Sequence, residues 1–148
     1  MDNGPGLMTV SRLVDAVRGN CLCDFTEDHS FSSVVTDSRN VKPGSLFVPL
    51  IGEKQDGHNY IPQALESGAS VILVDSFHAR KNLRKITSEG ERFHACFIQV
   101  DNTLQGLQDA ARAYVASFPG LLRIGITGSN GKTTTKEVAA AIFHRNSM

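Results

Sequence analysis

A loop near the end of the chain contains the residue types best suited to chemistry. The loop reads Gly128, Ser129, Asn130, Gly131, Lys132, Thr133 and Thr134. Its glycines allow several backbone N–H groups to converge on one anion, and a following helix adds the positive end of its dipole. Lys132 would hold the β- and γ-phosphates of ATP, and the Thr133 hydroxyl would ligate Mg²⁺. The sequence therefore predicts a nucleoside triphosphate site between a strand and a helix.

This loop departs from the general P-loop pattern at one position. The pattern requires a glycine five positions before Gly131, where this chain has Ile126. The nearest upstream glycine is Gly125. A glycine-rich turn with an incidental Lys-Thr pair is the alternative interpretation. The apolar run at 121–127 and the helical pattern at 133–144 favour the phosphate site, because they supply a strand before the loop and a helix after it.

Composition excludes several classes of protein. Lys plus Arg and Asp plus Glu balance at 15 each, so the net charge is zero and gives no support for binding nucleic acid or an anionic membrane. No apolar run approaches the roughly 20 residues needed to cross a bilayer. Cys21, Cys23 and Cys96 are an odd set without convincing zinc spacing. We expect free, partly buried thiols and a reducing cytoplasm.

Strand and helix patterns alternate along the chain, which predicts an α/β fold. The predicted helices cover 9–18 with Thr9 as N-cap, 61–67 closed by Gly68, 78–88, 104–118 and 133–144. The predicted strands cover 34–36, 46–50, 71–74, 96–100 and 121–127. Pro49 indicates an edge strand or a bulge, because proline cannot donate to a central ladder. Residues 51–59 are predicted to form a loop.

A proline and a glycine at positions 119 and 120 indicate a boundary between two domains. The predicted domains are 1–119 and 120–148. A lone strand, loop and helix cannot cover both faces of a parallel sheet. We therefore expect the chain to contain a small α/β domain followed by the opening strand, phosphate loop and helix of a truncated second domain.

Two blocks of residues resemble one family. Residues 125–134 resemble the ATP loop of the Mur ligases, which build the peptide stem of bacterial cell-wall precursors, and this family's loop explains the displaced glycine. The second block resembles the family's N-terminal uridine-nucleotide domain and comprises residues 36–39, 43–44, 46–48, 52, 56–58 and 68–69. The resemblance covers about residues 30–144.

The resemblance implies a fold, ligands and site residues. It implies an N-terminal domain that binds a UDP-N-acetylmuramoyl-peptide and a central ATPase domain that uses ATP and Mg²⁺. The implied substrate-binding residues are Thr36, Ser38 and Arg39, with Glu53, Lys54 and Gln55 opposite. The amine site and the remaining Mg²⁺ ligands would lie outside this chain. We expect a cytoplasmic monomer that has no ligase activity as this fragment.

Several of these residues have structural alternatives. Ser38 could cap a turn, Arg39 could pair with Asp37, and Lys54 could simply be solvated. Asp56 and Gly57 form a turn whatever else they do, and His58 is given no role in proton transfer. The basic stretch at 80–85 is predicted to be the exposed face of a helix.

Within the family, the residues favour the member that adds D-alanyl-D-alanine. The segments at 134–137 and 101–108 resemble that enzyme, whereas residues 60–64 resemble the enzyme that adds the third stem residue. Two further hypotheses remain, a stand-alone uridine-nucleotide module with a vestigial loop and an unrelated P-loop NTPase.

Overall fold

The structure is a computed structural model that describes residues 6–24, 28–128, 131, 133, 136–138 and 140–141. The chain divides into two compact units, Met1–Ser117 and Phe118–Met148. Of the predicted phosphate loop, Ser129, Asn130, Lys132 and Thr134 lie outside the described residues. None of the described helices combines the length and the hydrophobicity that a membrane-spanning segment requires.

The first unit alternates strands and helices. Its strands are β1 (Met8–Thr9), β2 (Asn20–Cys21), β3 (Ser30–Phe31), β4 (Ser33–Val35), β5 (Ser45–Phe47), β6 (Val71–Asp75) and β7 (Cys96–Val100). Its α-helices are α1 (Val10–Val17), α2 (Ile61–Glu66), α3 (Ser76–Phe93) and α4 (Thr103–Ala116). Two short 3-10 helices cover Ser38–Asn40 and Gly57–Tyr60. The predicted α/β class is confirmed for this unit.

A five-stranded mixed sheet has the order β2-β7-β6-β5-β4. Strands β4 to β7 are parallel, and β2 pairs antiparallel with β7 at the edge. β1 and β3 form a separate antiparallel pair. The carboxyl ends of the parallel strands therefore meet at one edge of the sheet, where ligands of open α/β folds usually bind.

Both faces of the sheet are covered by helices. Leu73 on β6 belongs to a cluster that includes α1 and α4 residues, and the adjacent Ile72 belongs to a cluster that includes α2 and α3 residues. Both side chains are fully buried. The uninterrupted apolar run of β6 follows from this arrangement, because a parallel strand with two covered faces needs apolar residues at every position.

Several predicted boundaries differ from the structure. β5 ends at Phe47 and lies inside the sheet, so the edge-strand interpretation of Pro49 is wrong; the chain leaves the ladder before the proline. α3 begins at Ser76, because the Asp75 carboxylate caps it, and it extends beyond the predicted end to Phe93. The Thr9 cap and Gly68 after α2, with φ +98°, are as predicted.

The second unit departs from its prediction. Residues 121–127 form no strand, and Leu121, Leu122 and Ile124 are at least half exposed. A buried parallel strand needs neighbouring strands and two covering layers, and the described residues of this unit supply neither. The described residues between 133 and 141 have helical backbone, in agreement with the predicted helix.

The apolar cores on the two faces of the sheet lead to a prediction about stability. Leu73→Ala should lower the free energy of unfolding by about 2–5 kcal/mol, because it removes a fully buried side chain and leaves a cavity. Leu83→Ala is the matched control, since Leu83 on α3 is 50% exposed and should change stability by about 0.5 kcal/mol or less. Urea denaturation of the 148-residue chain measures both, and equal effects would contradict the assigned core.

Candidate functional site

A cavity of about 650 Å³ opens where β4 and β5 end. It is lined by Thr36, Asp37, Ser38, Arg39, Leu50, Gly52, Gln55, Gly57, Tyr60 and Gln63. Four of the six predicted substrate-binding residues are therefore brought together, from two segments well separated in the sequence. Glu53 and Lys54 are exposed in the neighbouring loop and are not among the lining residues. The volume is in the range of small-molecule sites.

Ser38 lies buried in the wall of this cavity. Its hydroxyl donates a hydrogen bond of 2.7 Å to Gln63 Oε1 on α2. The turn itself is capped by Asp37, whose carboxylate accepts from the Arg39 backbone N–H at 3.0 Å. The alternative that Ser38 caps this turn is therefore wrong, because its hydroxyl is engaged across the cavity wall. The bond leaves the Gln63 amide nitrogen as a donor beside the cavity.

Arg39 is paired with its neighbour. The guanidinium donates to both carboxylate oxygens of Asp37, at 3.0 and 3.2 Å from Nε and through Nη2, which lies 2.6 Å from Oδ2. These bonds lower the pKa of Asp37 to about 2. Both side chains are exposed, so the pair contributes little to stability. Its local effect is to neutralise the Arg39 charge at the cavity rim.

A tight loop forms another part of the cavity wall. Ile51 and Asp56 form an isolated antiparallel bridge, and the Gly52 N–H donates to the Gln55 carbonyl at 2.8 Å. The Tyr60 hydroxyl donates to Gln55 Oε1 at 2.8 Å, which fixes the orientation of that amide. Glu53 and Lys54 stand at the tip of this loop, where both are exposed.

Gly57 closes the base of the loop. Its N–H donates to the Leu50 carbonyl at 2.8 Å. A Cβ at this position would lie 2.7 Å from both the backbone nitrogen and the carbonyl oxygen of Leu50. The close approach therefore requires a glycine, for a reason of space rather than of backbone dihedral angle.

His58 anchors this loop to the sheet. The ring is fully buried, with Nδ1 2.7 Å from Asp56 Oδ1 and Nε2 accepting from the Asp75 backbone N–H at 3.2 Å. With Nε2 as an acceptor, Nδ1 carries the hydrogen and donates to Asp56. His58 thus joins the residue before Gly57 to the end of β6, and it is a packed histidine that holds the loop in place.

A second histidine completes this anchor. The His78 ring stacks on His58 with 4.5 Å between ring centroids, and its backbone N–H donates to Asp75 Oδ1 at 2.7 Å. Burial lowers the pKa of His78, and the neighbouring His58 lowers it further. The cavity loop, the end of β6 and the start of α3 therefore share one buried hydrogen-bonded cluster.

Sequence reasoning missed part of the cavity lining. Gln63, Tyr60 and Leu50 line the cavity but were not predicted as site residues. Gln63 occupies an exposed position in the first turn of α2 that any polar residue could fill. Its sequence signals are its position in a helix that begins soon after the predicted loop and its place in the segment 60–64, which resembles a Mur ligase.

The described part of the phosphate loop is limited to its glycines and Thr133. Gly128 has φ 144° and Gly131 has φ 76°, backbone conformations that favour glycine. These conformations fit a loop whose N–H groups turn toward an anion. Ser129, Asn130, Lys132 and Thr134 lie outside the described residues, so their predicted roles stay predictions.

Comparisons with known proteins identify the family. Residues 30–115 match the model described as the Mur ligase family, catalytic domain. The chain is 44% identical over 93% of its length to a UDP-N-acetylmuramoyl-tripeptide–D-alanyl-D-alanine ligase of Treponema pallidum, covering 29% of that protein. The corresponding ligase of Bacillus subtilis is 38% identical over 91% of this chain and 27% of its own length.

A solved structure agrees with these relatives. The UDP-N-acetylmuramoylalanyl-D-glutamyl-2,6-diaminopimelate–D-alanyl-D-alanyl ligase of Acinetobacter baumannii superposes with a TM-score of 0.71 and 28% identity, over 91% of this chain and 27% of that protein. The chain therefore belongs to the Mur ligase family. This membership excludes the hypothesis of an unrelated P-loop NTPase. The chain spans less than a third of the length of these relatives.

The buried anchor generates a prediction for His58. His58→Phe keeps an aromatic ring but removes both hydrogen bonds of the imidazole nitrogens. The Asp75 N–H is left without its partner, while Asp56 keeps only the bond from the backbone N–H of residue 58. We expect a loss of about 1–3 kcal/mol in the free energy of unfolding. Proteolysis within residues 51–57 should also become faster, because the loop loses its attachment to β6.

The exposed His94 offers a control for that variant. His94→Asn replaces a residue in the left-handed conformation by another that tolerates it, and should leave stability and cleavage unchanged. Thermal melts and limited proteolysis measure both quantities. A His58→Phe protein as stable and as protease-resistant as the control would show that the anchor is unimportant.

Proposed function

We propose that this chain is the N-terminal part of an ATP-dependent ligase that adds D-alanyl-D-alanine to UDP-N-acetylmuramoyl-tripeptide in the cytoplasm. The observation that carries the proposal is the 44% identity along 93% of the chain to a ligase of that name. The same proposal assigns a function to each domain. Residues 1–119 would bind the nucleotide sugar, and residues 120–148 would begin the ATP-binding domain.

The cavity at the carboxyl edge of the sheet would hold the uridine nucleotide of that substrate. Uracil presents two carbonyl acceptors and one N–H donor, so it needs a wall with both kinds of group. The Ser38–Gln63 and Tyr60–Gln55 pairs supply hydroxyls and amides in the lining of the cavity. Leu50 adds apolar surface.

The diphosphate would depend on charges at the rim. Arg39 is neutralised by Asp37, so it contributes less net charge than its side chain alone would. Lys54 is exposed at the loop tip beside Gln55, and we expect its charge to attract an anion that enters the cavity. Glu53, its neighbour, would face the sugar hydroxyls rather than the phosphates, because two anions repel.

The second unit would supply the ATP site. The residues present fit ATP and Mg²⁺ in type: positive-φ glycines at 128 and 131, Lys132 for the β- and γ-phosphates, and a Thr133 hydroxyl for Mg²⁺. When bound, ATP would supply the phosphoryl group that converts a carboxylate into an acyl phosphate, and Mg²⁺ would neutralise charge on the phosphates. Lys132 would orient the phosphates and neutralise charge during that transfer.

A second candidate comes from the same family. The UDP-N-acetylmuramoyl-L-alanyl-D-glutamate–2,6-diaminopimelate ligase of Clostridium tetani is 38% identical over 72% of this chain. Because that protein acts on a related nucleotide precursor, the cavity would serve either enzyme. The amine that is added must therefore be determined by residues outside the nucleotide cavity.

The cavity generates a binding prediction. Ser38→Ala should weaken binding of UDP and of UDP-N-acetylmuramoyl-tripeptide to the 148-residue chain by roughly 3- to 10-fold, the effect of losing one hydrogen bond. Ser88→Ala, on the exposed surface of α3, is the matched control and should bind as the parent does. Isothermal titration calorimetry measures both, and undiminished binding by Ser38→Ala would count against this cavity.

The choice between the two ligases is tested with the full-length protein that contains this segment. Purified with ATP and Mg²⁺, it should join D-alanyl-D-alanine to UDP-N-acetylmuramoyl-tripeptide, measured as phosphate release and product mass. The competing substrate pair is diaminopimelate with UDP-N-acetylmuramoyl-L-alanyl-D-glutamate, tested in the same assay. Turnover of the competing pair alone would establish the second candidate instead.

A further inference from the structure

The three cysteines are divided between the two faces of the sheet. Cys21 and Cys96 belong to the core on the α1 and α4 side, and Cys23 packs with the core on the α2 and α3 side. The Cys21 Sγ lies 3.2 Å from the Cys96 Sγ. Two of the three thiols are therefore in direct contact, although all three cysteines are free.

Strand pairing explains this contact. Cys21 is opposite Ile98 in the antiparallel β2–β7 ladder, and Cys96 lies two positions from Ile98 on the same face of β7. The two cysteines are thus diagonal neighbours across the ladder, a relation in which side chains can meet. A disulfide has an S–S length of about 2.05 Å, so the sulfurs would have to approach by about 1.2 Å.

The position of β2 makes that approach feasible. β2 contains only two residues, Asn20–Cys21, and it is the edge strand of the sheet. Only the Cys21 side of the pair needs to move, because Cys96 begins a central strand whose neighbours β6 and β2 hold it on both sides. Backbone adjustment of a short edge strand disturbs few hydrogen bonds.

We propose that Cys21 and Cys96 form a redox-sensitive dithiol that a small-molecule disulfide converts into an intramolecular disulfide. One cysteine thiolate attacks a sulfur of oxidised glutathione, which forms a mixed disulfide and releases one glutathione thiolate. The other cysteine thiolate then attacks the protein sulfur and releases the second glutathione. The protein loses two protons and two electrons, and one glutathione disulfide takes them up to become two thiols.

The reaction should be slow at neutral pH and faster in alkali. Burial raises the pKa of Cys96, and the contact with the Cys21 thiol raises it further. The attacking species is the thiolate, which a raised pKa makes scarce. In a reducing compartment the pair therefore stays as thiols, in agreement with the expectation of free cysteines, and it changes state only under oxidative stress.

Closing this bond would fasten the N-terminal segment to the sheet. Cys21 and Cys96 are separated by 75 positions, so the crosslink would remove much freedom from the unfolded chain. It would join the edge strand β2, and with it α1, covalently to β7. The proposed nucleotide cavity lies near β4 and β5, on the side of the sheet away from β2. Binding of the uridine nucleotide should therefore be unaffected by the disulfide.

The test treats the folded 148-residue chain with oxidised glutathione at pH 8, then blocks the remaining thiols with iodoacetamide. Peptide mapping by mass spectrometry should find a Cys21–Cys96 disulfide and one alkylated cysteine, Cys23. The melting temperature should rise by roughly 5–15 °C and return to its starting value after dithiothreitol.

Variants that each lose one cysteine show which two residues form the disulfide. Cys23→Ser should still form the bond and gain stability on oxidation, whereas Cys21→Ser should do neither. Because Cys21 is only half-buried, its variant is expected to fold, which circular dichroism verifies. The proposal is overturned if all three thiols stay free, if Cys23 takes part in the crosslink, or if only glutathione adducts accumulate.

Discussion

A parallel sheet must be covered on both of its faces, and the rest of the first unit depends on this constraint. The uninterrupted apolar run of β6 places Leu73 in one core and Ile72 in the other. Two pairs of helices cover these faces, so the remaining polar groups collect at the edge where the parallel strands end. The cavity proposed to hold the nucleotide lies at that edge, where open α/β sheets usually bind their ligands.

The same constraint explains the second unit. Residues 121–127 have the apolar composition of a buried strand, but the described residues provide no neighbouring strand or covering layer. An apolar composition is compatible with a buried strand in a complete sheet. The exposed Leu122 shows that this composition does not form a strand without neighbouring strands. The curated relatives are more than three times as long as this chain, which gives room for a complete sheet in them.

Sequence reasoning predicted the main helices and strands because their periodicity and caps are local properties. The Thr9 cap, the glycine after α2 and the β7 bounds depend on residues within a few positions of each other. β2 was missed, since a two-residue strand has no periodicity and exists only through its pairing with β7. Its antiparallel direction makes the sheet mixed, and the direction of a strand cannot be predicted from a local sequence pattern.

In the candidate site, too, some residues could be predicted from the sequence and others depend on tertiary contacts. Thr36, Ser38, Arg39 and Gln55 were chosen by resemblance, and the structure brings them together in one cavity. The contribution of Gln63 could not be predicted, because it depends on how α2 packs across the turn at Ser38. The anchor made by His58 likewise depends on the end of β6, which is 17 positions away in the sequence.

The central claim is that the cavity around Ser38 binds the uridine nucleotide of a cell-wall precursor. An NMR titration of the ¹⁵N-labelled chain with UDP-N-acetylmuramoyl-tripeptide tests it most directly, because each backbone amide reports separately. Saturable shifts are expected, concentrated at residues 36–39 and 50–63, with few changes near Cys21 and Cys96. Shifts located elsewhere in the first unit, or no shifts at millimolar ligand, would contradict it.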